Sequence, residues 1–129
     1  MKKIYWIIGI VILIMIGWLF VRFVIGGDED SWIKDDKGVW IKHGNPAETP
    51  AEVLTQQEAI NCARELYTNF DEEFNSQCLG TCGDYAIDVV HVPRSEEDNQ
   101  VENQCSAYRN REVNHFIELD KDGEIVRIV

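Results

Sequence analysis

Residues 59–92 read AINCARELYTNFDEEFNSQCLGTCGDYAIDVVHV, and within this stretch a helical pattern gives way to a strand-like one. Apolar residues first recur at intervals of three and four, which is typical of one face of an amphipathic helix. They are Ala59, Ile60, Ala63, Leu66, Tyr67, Phe70 and Phe74. Residues 84–92 are instead apolar on both faces, as in a central strand. The sequence therefore predicts a helix, a turn over residues 74–83 and then a strand.

The helix is preceded by two capping boxes, Thr49–Glu52 and Thr55–Glu58, so one helical turn is expected before the main helix. Its length should be about 18 residues, ending near Phe74. Residues 94–112 contain many charged and few apolar side chains, and they predict a long loop after the strand.

Two hairpins are predicted on either side of this helix and strand. The first surrounds the turn Asp35–Gly38, with Lys34 opposite Val39. The second lies in residues 115–129 and surrounds Asp120–Gly123, with Leu119 opposite Glu124. That register would point four aliphatic side chains at the helix, namely Ile117, Leu119, Val126 and Ile128. The expected fold is α+β, with one amphipathic helix packed on an antiparallel sheet of about five strands.

The N-terminal segment has a different composition. Residues 4–21 carry no charge, and the apolar run continues past Arg22 to Ile25. A helix of this length rises ~30 Å, which matches the hydrocarbon core of a bilayer. The sequence therefore predicts a transmembrane signal anchor over residues 1–25, which contacts the lipid bilayer through residues 4–25. A short stalk over residues 26–30 and an α+β domain over residues 31–129 follow it.

The charges that flank the apolar segment predict its orientation. Lys2 and Lys3 precede it and Asp28–Asp30 follow it, so the N-terminus should be cytoplasmic and the C-terminal domain extracytoplasmic. A cleaved signal peptide is the alternative, with Val24 and Gly26 as a poor cleavage pair. The apolar region of a signal peptide usually has ~7–15 residues, which favours the uncleaved anchor.

The exported part of the chain is strongly acidic. The whole sequence has 12 basic and 23 acidic side chains, and residues 1–25 contain Lys2, Lys3 and Arg22 but no acid. The exported part therefore has 9 basic and 23 acidic side chains, a formal charge of −14. Such a charge excludes nucleic acid as a partner and keeps an exposed domain soluble. We expect a protein partner at the outer face of the membrane.

All four cysteines lie in the exported part, which predicts two disulfides in an oxidising compartment. A strand that returns along the helix would bring the loop containing Cys105 near the helix start. This argument predicts Cys62 with Cys105 and Cys78 with Cys82. The alternative pairing is Cys62 with Cys82 and Cys78 with Cys105.

Several residue clusters could be read as metal or catalytic sites. The segment Asp120–Glu124 begins like a calcium loop but lacks the closing ligands, so a hairpin turn is favoured. Zinc binding by Cys78 and Cys82 with His91 or His115 lacks a Cys-x-x-Cys pair, and disulfides are favoured. His91 is interpreted as a hydrogen-bonded core residue. No catalytic residue, cofactor or metal is predicted.

The order of helix, strand and hairpin resembles small PepSY-like domains. The similarity covers residues 55–129, from the Glu58–Ile60 opening of the helix to the Phe116–Ile125 hairpin. The four cysteines and the loop over residues 94–112 depart from the family pattern. The resemblance implies an extracytoplasmic binding or protease-modulating module, and it assigns no catalytic residue. The whole chain also resembles single-pass, membrane-anchored envelope proteins of microbes.

The expected function is therefore that of a membrane-anchored extracytoplasmic binding or assembly module, not an enzyme. The alternative is an extracytoplasmic thiol- or metal-dependent enzyme that uses Cys78, Cys82 and His91. The anchor, the acidic charge and the lack of a recognisable catalytic set favour the binding module.

The predicted topology can be tested by proteolysis of intact cells from which any wall has been removed. A protease added outside should digest the region after residue 30, because the basic flank keeps the N-terminus inside. A cytoplasmic marker protein should stay intact in the same cells. Protection of the region after residue 30 would reverse the orientation.

Overall fold

The computed structural model describes residues 2–25, 29–70 and 77–129. The chain forms two compact units. One consists of Met1–Ile33 and Ile41–Pro50, and the other of Lys34–Trp40 and Ala51–Val129.

The first unit begins with helix α1, Lys2–Phe20, which continues into a π-helical turn, Val21–Ile25. The span Lys3–Ile25 has a mean hydropathy of 2.7 and is long and apolar enough to cross a membrane. Its large apolar side chains are exposed. One helix near the N-terminus therefore has the length and composition of a single membrane span.

The segment after this helix is held by polar contacts. Arg22 forms ion pairs with Glu29 and with Asp30, whose side chain is almost completely buried. The Asn45 side-chain amide donates to the Phe23 carbonyl at 2.8 Å. Of the predicted stalk, residues 26–28 lie outside the described residues. Strands β1, Ser31–Lys34, and β2, Trp40–His43, form a two-stranded sheet, as expected for the first hairpin.

The second unit is built on helix α2, Ala51–Thr68, and a four-stranded sheet. The strands are β3 (Gln77–Cys82), β4 (Tyr85–Val89), β5 (His115–Leu119) and β6 (Ile125–Ile128), and they lie in that order. The predicted α+β class is confirmed. The sheet is mixed, because β4 and β5 are parallel whereas the other two pairs are antiparallel.

The parallel pair requires a crossover connection, since parallel neighbours cannot be joined by a tight turn. Residues 90–114 supply it. The predicted long loop falls within this crossover, which contains two 3-10 turns, Glu97–Asn99 and Val101–Asn103, and a short helix α3, Ser106–Arg109.

The predicted helix is present but its bounds differ. It begins at Ala51, so the extra turn is continuous with the main helix, and it ends at Thr68. The Thr68 hydroxyl donates to the Arg64 carbonyl, and Thr and Asn69 are poor helix formers, which favours an early end. Phe74 lies outside the described residues. The predicted turn over residues 74–83 is wrong for Gln77–Cys82, which forms β3.

Helix α2 packs its apolar side on one face of the sheet, and we call this the helix face. Its core contains Ala59, Ile60 and Ala63 of the helix, as predicted from the spacing. The sheet contributes Cys82, Tyr85, Ile87, Ile117, Leu119 and Ile128, and Leu66, Tyr67 and Leu79 pack at its margin.

Both hairpin turns have the same geometry, and both predicted registers are wrong. The Asp35 amide donates to the Val39 carbonyl at 2.9 Å, so Asp35 rather than Lys34 lies opposite Val39. Leu119 pairs with Ile125 rather than Glu124, and Ile125 instead of Val126 joins the core. A second register shift, between Glu118 and Leu119, keeps Ile128 in the core as well. In each turn a glycine at positive φ, Gly38 (85°) or Gly123 (77°), precedes the returning strand and adds one residue to it.

The disulfides join Cys62 to Cys82 and Cys78 to Cys105, so the predicted pairing is wrong and the alternative is correct. The prediction assumed that the strand from residue 84 runs back along the helix, whereas β3 packs against α2. The β3–β4 register shifts between Cys78 and Gly80. This bulge puts Leu79 and Cys82 on the helix face, while Cys78 reaches Cys105 on the other face.

A buried glutamine on α2 holds the first hairpin turn. Gln56 is 2% exposed, and its Oε1 accepts a hydrogen bond from the Trp40 amide at 2.8 Å. Its Nε2 donates to the Gly38 carbonyl at 2.9 Å. On the other side of the turn, the Ile128 amide donates to the Lys37 carbonyl at 2.7 Å, which ties the turn to β6.

The substitution Gln56→Leu should lower the free energy of unfolding by about 2–4 kcal/mol, because it leaves two backbone groups without their partner. Denaturant unfolding measures this loss. The neighbouring exposed residue supplies the control, since Gln57→Leu should change the value by less than about 0.5 kcal/mol. Equal effects of the two substitutions would show that Gln56 does not hold the turn.

Candidate binding cavity on the crossover face

The crossover covers the sheet face opposite α2, which we call the crossover face. Its apolar part is small and consists of Ala86, Cys105 and Val113, with Ala107 and Phe116 packed against them. Beside it lies a cavity of about 230 Å³ that is lined by both charged and apolar side chains. Its lining residues are Asp88, Val90, Arg94, Asp98, Asn103, Gln104, Cys105, Tyr108, Arg109, Phe116, Glu118 and Arg127.

A buried carboxylate shared by two arginines stands in this cavity. Glu118 of β5 is 5% exposed. One of its oxygens accepts a hydrogen bond from Arg94 Nη1 at 2.8 Å, and the other accepts one from Arg127 Nε at 3.1 Å. Arg127 is the cross-strand partner of Glu118 on β6, whereas Arg94 comes from the crossover. Charge-assisted bonds of this kind fix both guanidinium groups in place.

A second carboxylate lies beside the first. Asp88 pairs with Glu118 in the parallel β4–β5 register, so both acids face the crossover. Asp88 Oδ1 accepts a hydrogen bond from the Cys105 amide at 2.9 Å. The pKa of Asp88 is raised to about 6, chiefly because the group is buried. The hydrogen bond from the Cys105 amide opposes this rise, the charge of Glu118 adds to it, and the charge of Arg94 opposes it.

An aromatic surface borders the cavity. The Tyr108 and Phe116 rings meet edge to face with their centroids 4.8 Å apart. The Arg127 guanidinium carbon lies 5.1 Å from the centre of the Phe116 ring. Arg109 donates to the Val101 carbonyl at 3.1 Å, and no ion pair within the described ranges involves it. Arg109 therefore contributes a positive charge that forms no ion pair with any described carboxylate.

Asp98 holds the first half of the crossover together. It is fully buried and accepts hydrogen bonds from the backbone amides of His91 and Ser95. His91 Nδ1 lies 3.0 Å from Asp98 Oδ1 and 3.1 Å from Ser95 Oγ. A Ser-His-Asp triad needs the serine and the aspartate on different imidazole nitrogens, whereas here both contact Nδ1. The hydrogen bonding predicted for His91 is present, but its placement in the core is wrong, because His91 lies after the end of β4 and its side chain is 30% exposed.

The residues considered for zinc and calcium have other roles. Cys78 and Cys82 belong to different disulfides, so their sulfurs are bonded to Cys105 and Cys62. His115 stacks on Tyr85 with centroids 4.8 Å apart. Asp120 Oδ1 accepts hydrogen bonds from the Asp122 and Glu124 amides. The hairpin-turn interpretation of this segment is therefore confirmed.

Sequence reasoning missed Arg94, Asp98, Arg109, Glu118 and Arg127 as residues of one site. Three of them lie in or next to the segment that was interpreted as a polar loop. The strand sequences do contain one indication of the cavity, because Asp88 and Glu118 are single acidic residues inside otherwise apolar runs. A charge at such a position needs a buried partner.

The chain matches no protein-family model, no curated protein and no solved structure. The PepSY-like resemblance therefore stays a prediction, and the interpretation of the cavity rests on its own geometry.

The raised pKa of Asp88 makes stability depend on pH. The folded-state pKa lies above the usual value of 3.8, so the folded state binds the extra proton and loses stability as the pH rises through about 6. Asp88→Asn keeps an oxygen for the Cys105 amide but carries no charge. The melting temperature of the variant minus that of the unmodified chain should therefore increase from about pH 4 to about pH 7, a range that includes both the usual and the raised pKa of Asp88. A difference that does not vary with pH would contradict the buried-acid assignment.

Proposed function

We propose that this chain is a membrane-anchored, extracytoplasmic binding module whose α+β domain captures a protein partner at the crossover-face cavity. Residues 4–25 anchor it in the lipid bilayer, with the N-terminus in the cytoplasm. The length and composition of the span support the anchor. The basic residues before it and the acidic residues after it support the orientation.

The disulfides support an oxidising location for the domain. All four cysteines form disulfides, and both bonds join parts of the exported region. Disulfides persist outside the cytoplasm and are rare inside it. The domain is also small, so cross-links that restrict the unfolded chain contribute much of its stability.

The cavity is the observation that carries the binding proposal. Its shape is held by the Glu118 ion pairs and by the Asp98 hydrogen bonds, so little ordering is needed when a ligand enters. Tyr108 and Phe116 offer apolar contact, and Arg109 offers a positive charge that is held by no ion pair among the described residues. Aromatic residues and arginine are the side chains that most often dominate binding energy at protein interfaces.

These features define the chemistry of the partner. The cavity suits a segment that presents one carboxylate to Arg109 and an apolar side chain to the aromatic surface. The net charge of the domain favours a partner whose surrounding surface is basic. The negative charge of the domain then attracts the basic surface of the partner at long range. Arg109 selects, at short range, the segment that enters the cavity.

Site-specific crosslinking in native membranes tests the proposal. A photoreactive amino acid in place of Tyr108, at the cavity rim, should crosslink to a protein partner. Arg109→Glu in the same chain should reduce that product about tenfold or more, because it repels the partner carboxylate. Arg64→Glu makes the same charge change on the exposed side of α2 and should leave the product unchanged. Equal products from both variants would place the partner elsewhere.

A further inference from the structure

The two disulfides of the sheet have different surroundings. Cys62–Cys82 belongs to the apolar layer beneath α2, where Cys82 is buried. Cys78–Cys105 joins an exposed cysteine to one that is 3% exposed. Thiol–disulfide exchange begins when a thiolate attacks an accessible sulfur. At this disulfide Cys78 is the exposed residue, so attack is expected at its sulfur and Cys105 is the leaving group.

A buried carboxyl group stands next to this disulfide. An oxygen of Asp88 and the sulfurs of Cys78 and Cys105 all lie within 4.8 Å of one another. Asp88 is the cross-strand partner of Cys78, and its Oδ1 accepts a hydrogen bond from the Cys105 amide. Within the described ranges, no carboxylate or imidazole is grouped with the Cys62–Cys82 sulfurs in this way.

After reduction, the surroundings of the Cys105 sulfur favour a protonated thiol over a thiolate. A thiolate released into a buried position lacks solvation, so a nearby proton donor favours its release. Burial raises the pKa of Asp88 to about 6, which leaves part of this group protonated near neutral pH. The Cys105 sulfur also lies 3.3 Å from the Ile87 carbonyl and 3.6 Å from the Gly80 carbonyl, so a thiol formed there has acceptors.

We propose that Cys78–Cys105 is a redox-active disulfide that oxidises dithiols of extracytoplasmic proteins, with Asp88 as the proton donor to Cys105. This activity goes beyond the proposed binding function and does not depend on Arg109 or on a partner in the cavity. Asp88 lines the cavity, which gives its carboxyl group a route to exchange protons with solvent.

One turnover has two steps, and its two-electron oxidant is the Cys78–Cys105 disulfide itself. One thiolate of the substrate attacks Cys78 Sγ, the Cys78–Cys105 bond breaks, and its electron pair goes to Cys105 Sγ, which takes the Asp88 proton. The second substrate thiolate then attacks the substrate sulfur of the mixed disulfide and releases Cys78. Cys78 leaves as a thiolate and takes a proton from water, and Asp88 is reprotonated from solvent through the cavity, which balances the two protons that the substrate thiols released to water on ionising. The substrate has lost two electrons and two protons, and the disulfide that accepted the electrons has become two thiols.

Timed reduction of the full-length chain in detergent micelles gives the first test. Dithiothreitol is added, free thiols are alkylated at intervals, and mass spectrometry identifies the labelled cysteines. Label should enter Cys78 and Cys105 about tenfold or more faster than Cys62 and Cys82. Incubation with reduced glutathione should trap a mixed disulfide on Cys78. Equal rates for the two disulfides, or glutathione on Cys105, would overturn the proposal.

The role of Asp88 has its own readout in the pH profile. The rate constant for reduction of Cys78–Cys105, expressed per dithiothreitol thiolate, should fall above about pH 6 as Asp88 loses its proton. Asp88→Asn should lower this constant at pH 6 and abolish its fall. Glu102→Gln removes an exposed carboxylate of the same crossover and should retain the fall. Slow reduction of Cys62–Cys82 verifies that each variant is folded, and an unchanged profile in Asp88→Asn would refute proton donation.

Discussion

Strand β3 holds the two layers of the domain together because its bulge changes the direction in which its side chains point. Cys78 and Cys82 are four residues apart, so in a regular strand both would face the same layer. The shift between Cys78 and Gly80 sends them to opposite faces. One disulfide then ties the sheet to α2, and the other ties it to the crossover. A regular β3 would leave one of these thin layers without a cross-link.

The parallel pairing of β4 and β5 determines the chemistry of the crossover face. It places Asp88 beside Glu118 on a face that the crossover encloses, and two adjacent carboxylates repel each other when both are charged. Glu118 is compensated by Arg94 and Arg127, whereas Asp88 accepts a backbone amide and has a raised pKa. One acid therefore serves as an anchor for arginines, and its neighbour is available as a proton donor.

Local patterns were sufficient for some elements and not for others. The spacing of Ala59, Ile60 and Ala63 predicted the helix face, because a buried helix repeats its apolar residues over several turns. The Asp and Gly residues of both hairpins predicted turns but not their registers, since the glycine at positive φ adds a residue that the strand pattern does not reveal. Strand β3 has little apolar alternation, and its bulge was not predictable from composition.

The sequence did not predict the disulfide pairing or the residues of the cavity, and the reason is the same for both. Each depends on contacts between segments that are distant in the sequence. The choice between Cys82 and Cys105 as the partner of Cys62 required knowing which strand returns along α2. Asp98 organises amides seven and three residues before it, so its role exists only once the crossover is folded. A charged residue within an apolar strand was the one local clue, and it pointed to Asp88 and Glu118 without naming their partners.

The two proposed activities meet at Asp88. Its side chain lines the cavity and also lies beside the Cys78–Cys105 sulfurs. A partner segment that fills the cavity removes water from this carboxyl group, and desolvation favours its neutral form. By thermodynamic linkage, protonation of Asp88 then favours occupancy of the cavity to the same extent. Under the two proposals, occupancy of the cavity and the protonation state of Asp88 are linked, whereas reduction of Cys78–Cys105 itself needs no partner in the cavity.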